Sequence, residues 1–132
     1  MAKILVVDDE ADLEVLIKQK FRQKIRENKY EFVFAINGKH ALEQLALHED
    51  VDVILSDINM PEMDGLTLLT KLSEQNSLLK SVIVSAYGDM ENLRTAMNRG
   101  AFDFITNPVN FEELELTMEK TLKHVKQMRE TM

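Results

Sequence analysis

The stretch "ILVVDDE" (residues 4–10) ends an apolar run in three consecutive acids, Asp8, Asp9 and Glu10, and "VILSD" (53–57) ends a second run in Asp57. Carboxylates that converge repel one another unless a proton or a cation intervenes, and an all-oxygen set with room for water suits Mg²⁺ better than a softer metal. Each cluster has a plainer reading. Acids favour the first turn of a helix, which accounts for one of Asp8, Asp9 and Glu10 as a cap but poorly for all three. Asp57, shortly before Met60 and Pro61, is also a residue type that opens turns. The position of both clusters at the ends of apolar runs favours a shared site.

The runs themselves are "KILVV" (3–7), "EFVFAI" (31–36), "VDVILS" (51–56), "SVIVS" (81–85) and "AFDFI" (101–105). Several are almost continuously β-branched or apolar, as strands buried on both faces of a parallel sheet must be. Between them, helical spacing appears in Leu13, Leu16, Ile17, Phe21 and Ile25, in Ala41, Leu42 and Leu45, in Leu66, Leu69 and Leu72, and in Met90, Leu93, Ala96 and Met97. The fourth helix stops at Gly100, and a fifth begins near Asn110. The alternation predicts an α/β fold: a flavodoxin-like, doubly wound, five-stranded parallel sheet of order 2-1-3-4-5 with five helices. In such sheets ligands bind outside the carboxyl ends of the strands where the order reverses, here between strands 1 and 3. That mouth receives Asp8, Asp9 and Glu10 from strand 1 and Ser56 and Asp57 from strand 3. Strand 4 ends in Ser85, and strand 5 in Thr106 and Asn107.

A chain of 132 residues, 45% hydrophobic and 30% charged, has material for one buried core. A net charge of −7 argues against nucleic acid or a membrane surface as a direct partner of this domain. Without cysteine there is no disulfide, thiolate metal site or thiol nucleophile, as befits a cytoplasmic protein, and the opening "MAKILVVDDE" resembles neither a signal peptide nor a membrane span. The basic residues Lys18, Lys20, Arg22, Lys24 and Arg26 read as a solvated helix face, and the three histidines as scattered surface residues. Near the end, Phe111, Met118, Val125 and Met132 recur every seven residues, with Leu114, Thr121 and Met128 three later in each repeat. The expected organisation is a domain over 1–122 and an extension of the fifth helix over 123–132, compatible with a coiled-coil stem and a homodimer.

Four motifs in order, "ILVVDDE", "VILSDINMPEMDGL", "VIVSAYG" and "AFDFITNPV", resemble those of the receiver domain of a two-component response regulator, over essentially the whole chain. The resemblance implies a phosphorelay signalling domain, not an enzyme beyond its own phosphorylation and dephosphorylation. Asp57 would accept a phosphoryl group from a histidine kinase or phosphotransfer protein. Asp8, Asp9, Asp57 and the backbone carbonyl of Asn59 would hold Mg²⁺, with Pro61 and Gly65 in the turn that follows the acceptor. Ser85 would be the switch hydroxyl and Phe104 the switch aromatic, acting on a surface made by the fourth helix, fifth strand and fifth helix. A C-terminal effector domain in a longer parent chain is a further implied partner.

The sequence departs from the family pattern at Asn107, where a lysine normally precedes the proline. Three ionised carboxylates and one Mg²⁺ leave a charge of about −1, which a lysine would cancel and an amide does not. Mg²⁺ binding is therefore expected to survive, with phosphotransfer and switching weakened. A turn-supporting role for Asn107 stands beside this, since asparagine is common in such connections. Two other classes of function remain open: a pseudo-receiver that binds partners without phosphate, and a phosphohydrolase of the haloacid dehalogenase kind. The latter is disfavoured because its aspartate motif lies on the first strand, whereas "DIN" here lies on the third.

Overall fold

The computed structural model describes residues 2–58, 65–74, 79–86 and 88–131, without the side chains of residues 11, 12, 65, 73 and 74. Its strands are β1 (Ala2–Val7), β2 (Tyr30–Ala35), β3 (Val53–Asp57), β4 (Lys80–Ala86) and β5 (Asp103–Asn107). All pair in parallel in the order β2-β1-β3-β4-β5, as the alternation predicts. The helices are α1 (Ala11–Lys20), α2 (Arg22–Arg26), α3 (Gly38–Leu47), α4 (Gly65–Glu74), α5 (Met90–Asn98) and α6 (Phe111–Glu130).

Among the described residues six helices stand where five were expected, because the first divides at Phe21, whose φ of −97° and ψ of 14° leave the helical region. The Phe21 ring, 1% exposed, packs 5.0–5.6 Å from Phe111, Phe32 and Tyr30. Its N–H still donates to the Ile17 carbonyl at 2.9 Å and its carbonyl accepts from Ile25 N–H at 2.9 Å, so the segment bends without losing its ladder.

Alternation along the strands sorts the core into two layers. Ile4 and Val6 of β1 face α1 and α6, where they join Ile17, Leu55, Ile105 and Leu114. Leu5 and Val7 face the other way, toward Ala41 of α3 and Leu68 of α4. The central strands are covered on both sides, with Ile4 to Val7, Val53 to Ser56 and Val82 to Val84 all 3% exposed or less. This is why their sequences read as unbroken apolar runs, whereas the edge strands β2 and β5 are mixed. Past α5, Gly100 adopts φ 105° while Ala101 N–H closes onto the Ala96 carbonyl at 3.1 Å, the helix-ending role its position suggested.

The seven-residue stripe lies against the sheet as far as Val125. Leu114, Met118, Thr121 and Val125 are buried, and Phe111 packs on the same core. The boundary expected at residue 122 falls inside α6; beyond it Val125 is buried on the same core, while Met128 is half-buried and Met132 lies outside the described residues. Near the end of α6, Arg129 Nη1 meets Asp52 Oδ1 at 2.5 Å, while Asp52 Oδ2 accepts from Lys3 N–H at 3.0 Å. Arg129→Ala should cost about 0.5–1 kcal/mol, the range of a half-exposed pair, because Asp52 keeps its bond to the backbone. The urea midpoint reads this directly.

Candidate functional site

Strand pairing sets the site. Val7 is opposite Ser56, so the residues that follow, Asp8 and Asp57, emerge side by side at the carboxyl ends of β1 and β3. The Asp8 N–H donates to the Ala35 carbonyl at 3.0 Å, which carries the strand geometry one residue further and fixes where its side chain leaves the sheet. One carboxylate oxygen each from Asp8, Asp9 and Asp57 lies within 4.8 Å of the others. Asp8 and Asp57 are half-buried and Asp9 is exposed.

Capping does not explain these acids. Glu10 is the N-cap residue of α1 and makes no side-chain cap, while Asp8 Oδ1 accepts from Glu10 N–H at 3.0 Å, a local turn before the helix. Burial pushes the Asp8 carboxyl up to about 6, with the Asp57 and Asp9 charges adding to it against the opposing bond from Glu10 N–H. A positive charge placed beside Asp8 would favour its ionised form and offset the burial that raises it.

Asp8, Glu10, Asp57 and Asn107 together line a cavity of about 160 Å³, closed by the apolar side chains of Leu13, Leu16, Val84 and Val109. Asn107 is the exposed last residue of β5, joined to Pro108 by a cis peptide bond. It is thus a strand residue at the rim of the acidic cavity and not only a member of the following turn. Leu13 and Leu16 had read simply as the buried stripe of a helix. Only the strand order reveals that this stripe also walls the cavity.

Ser85 and Phe104 lie deeper in the sheet and do not line that cavity. Ser85 is 3% exposed, sits opposite Thr106, and its Oγ donates to the Ala86 carbonyl at 3.5 Å. Phe104 is half-buried opposite Ile83, two residues along each strand from the Ser85–Thr106 pair, so the hydroxyl and the ring occupy one face of the sheet. Asn59 and Pro61 fall outside the described residues, and Gly65 opens α4.

A parallel sheet of order 2-1-3-4-5 with clustered aspartates at the β1/β3 mouth is the architecture of a receiver. The family model described as "Response regulator receiver domain" matches residues 4–119, and the chain belongs to that family of two-component signalling domains. It is 33% identical over 121 residues to the transcriptional regulatory protein ZraR of Escherichia coli K12, an alignment covering 92% of this chain and 26% of ZraR. With the DNA-binding transcriptional regulator NtrC of the same strain it shares 35% identity over 94 residues, 71% of this chain and 20% of NtrC. Among solved structures, NtrX from Brucella abortus superposes with a TM-score of 0.85 at 32% identity, covering 98% of this chain and 29% of that one. The signal receiver domain of an HD domain-containing protein from Pseudomonas fluorescens Pf-5 gives 0.83 at 29%, covering 99% and 93%. The chain spans about a quarter of the length of the curated relatives it matches. Among the described residues, no helix is long and apolar enough to cross a membrane.

Proposed function

We propose that this receiver domain is a cytoplasmic phosphoacceptor that takes a phosphoryl group on Asp57 from a histidine kinase or phosphotransfer protein. The observation that carries the reading is the meeting of Asp8, Asp9 and Asp57 oxygens within 4.8 Å at a cavity mouth. Asp8, Asp9 and Asp57, with the backbone carbonyl of Asn59, would hold Mg²⁺, and the raised Asp8 carboxyl supports the fit of a hard divalent cation to this all-oxygen set. When bound, the cation supplies charge neutralisation for an attack that carboxylates alone would repel. Asp57, anchored by its strand, directs one oxygen at phosphorus in line with the donor's leaving group. Its bond to phosphorus forms as the bond to the donor breaks.

The new phosphoryl oxygens then act as acceptors for the Ser85 hydroxyl, whose movement opens room for Phe104 and alters the surface formed by α5, β5 and α6. Asn107 offers a neutral hydrogen bond where a lysine would bring charge, so the clamp on the phosphoryl group is weaker. This substitution is also what keeps a second reading alive, that of a pseudo-receiver whose partner contacts are independent of phosphate. An effector domain after α6 in a longer parent, and self-association of the domain, belong to the same proposal.

Incubation with acetyl phosphate and Mg²⁺ should add about 80 Da to the intact mass, and a chelator should prevent it. Partner binding without any adduct, indifferent to Mg²⁺, would favour the pseudo-receiver instead. Mg²⁺ affinity should also depend on pH. A carboxylate with a raised folded pKa favours the metal-free fold while it is protonated, and that advantage is lost as the pH rises through about 6. Binding has the opposite sign, since the cation needs the ionised form. Affinity measured by calorimetry should fall about tenfold between pH 7 and pH 5.

A further inference from the structure

The basic run of the first two helices is packed around a groove. Residues 18–29 carry six basic side chains against Glu27 alone, a net +5, within a chain whose total is −7. Lys18 Nζ lies 5.2 Å from the centre of the Phe34 ring and Lys24 Nζ 5.3 Å from that of Tyr30. Arg22 and Arg26 are exposed and form no ion pair among the described residues. With Ile25 they wall a groove of about 530 Å³ whose floor is Tyr30, Phe32 and Phe34. The acid at its end, Glu31, is already paired with Lys3 Nζ at 3.3 Å.

That floor is also an edge of the sheet, since among the described residues β2 pairs with β1 alone. Ala2 N–H donates to the Lys29 carbonyl at 2.9 Å, and Asp8 N–H to the Ala35 carbonyl at 3.0 Å. Backbone groups alternate sides along a strand, so Glu31, Val33 and Ala35 turn theirs toward β1, while Tyr30, Phe32 and Phe34 turn theirs outward. Among the described residues none of these outward groups has a hydrogen-bond partner.

We propose that this groove binds an extended acidic segment of a partner protein, which adds a strand beside β2 and places its carboxylates on Arg22 and Arg26. The unpaired edge selects a peptide, because its outward carbonyls require the N–H donors that only another backbone provides in register. The net +5 selects acidic side chains, and the half-buried rings of Phe32 and Phe34 with the exposed Ile25 select apolar residues between them. A nucleic acid satisfies the arginines but not the strand edge, and it meets a net −12 on the remaining residues. A second copy docking edge to edge would oppose one +5 patch to another. Basic side chains beside an edge strand can instead serve to block pairing. In that case no peptide binds, and charge reversal promotes self-association.

The test is titration of the intact isotope-labelled chain with an octapeptide of alternating glutamate and valine, alongside an oligouridylate of equal length. The expected result is a set of amide shifts centred on Tyr30, Phe32, Phe34 and the α2 backbone. Affinity should drop about tenfold or more in R22E/R26E. It should also be lost when alternate amides of the peptide are N-methylated. An N-methylated peptide that binds the natural chain as well as its parent would overturn strand addition, whether or not the double variant folds. So would tighter binding of the oligouridylate at the same amides, or absence of peptide binding at millimolar concentration with self-association of R22E/R26E.

Discussion

Asp57→Asn is expected to reduce phosphoryl incorporation from acetyl phosphate by roughly a hundredfold or more, to the background of the assay. An amide oxygen is a poor nucleophile toward phosphorus, and of the three clustered carboxylates Asp57 is the one that belongs to a strand, as the last residue of β3. Asp8 shares the cavity with it, and Asp9 is exposed. The same substitution has a second consequence of opposite sign. Asp57 is one of the charges that raise the Asp8 carboxyl, so its loss should bring Asp8 closer to its ordinary range and stabilise the metal-free fold at neutral pH. A variant that is inert yet at least as stable as its parent separates loss of chemistry from loss of fold. Full incorporation in Asp57→Asn would move the acceptor elsewhere.

Asn107→Lys carries the second large expectation. The amide and the ammonium would occupy the same rim position at the end of β5, but the ammonium adds the charge that three carboxylates and one divalent cation leave unbalanced. Hydrogen bonds to charged groups contribute about 1.5–3 kcal/mol against roughly 1 for neutral ones, so the gain is about 0.5–2 kcal/mol. That corresponds to a rate of phosphorylation at saturating Mg²⁺ raised roughly two- to thirtyfold. The stopped reaction followed by intact mass gives the rate for both chains. Equal rates would mean that position 107 does not reach the phosphoryl group, and the account of weakened switching would fall with it.

The sheet order, the strand ends and the aspartate cluster were all legible in the sequence, because two-sided burial forces continuous apolar runs and the order reversal then dictates where acids meet. The break at Phe21 was not, since helical spacing continues through Phe21 to Ile25 and only the aromatic cluster of Tyr30, Phe32 and Phe111 draws the chain off axis. The heptad at the C-terminus was legible as a pattern but ambiguous as to partner: a stripe that packs on a sheet and a stripe that packs on another helix share the same spacing. Val125 takes the sheet as its partner, and Arg129 pairs with Asp52 just before β3. The aromatic groove was hidden for a different reason. Its arginines come from α2 and its rings from β2, and only tertiary packing brings a solvated face and an edge strand together.

The central claim, that Asp57 receives the phosphoryl group in a Mg²⁺-dependent reaction, meets its most direct test in chemical trapping. After incubation with acetyl phosphate and Mg²⁺, borohydride reduction converts an acyl phosphate to the alcohol, leaving homoserine where aspartate stood, and tandem mass spectrometry locates it. The account predicts homoserine at residue 57 alone, dependent on Mg²⁺. Homoserine at Asp8 or Asp9, or none at residue 57 while Asn107→Lys under the same conditions acquires it there, would contradict the claim for this chain.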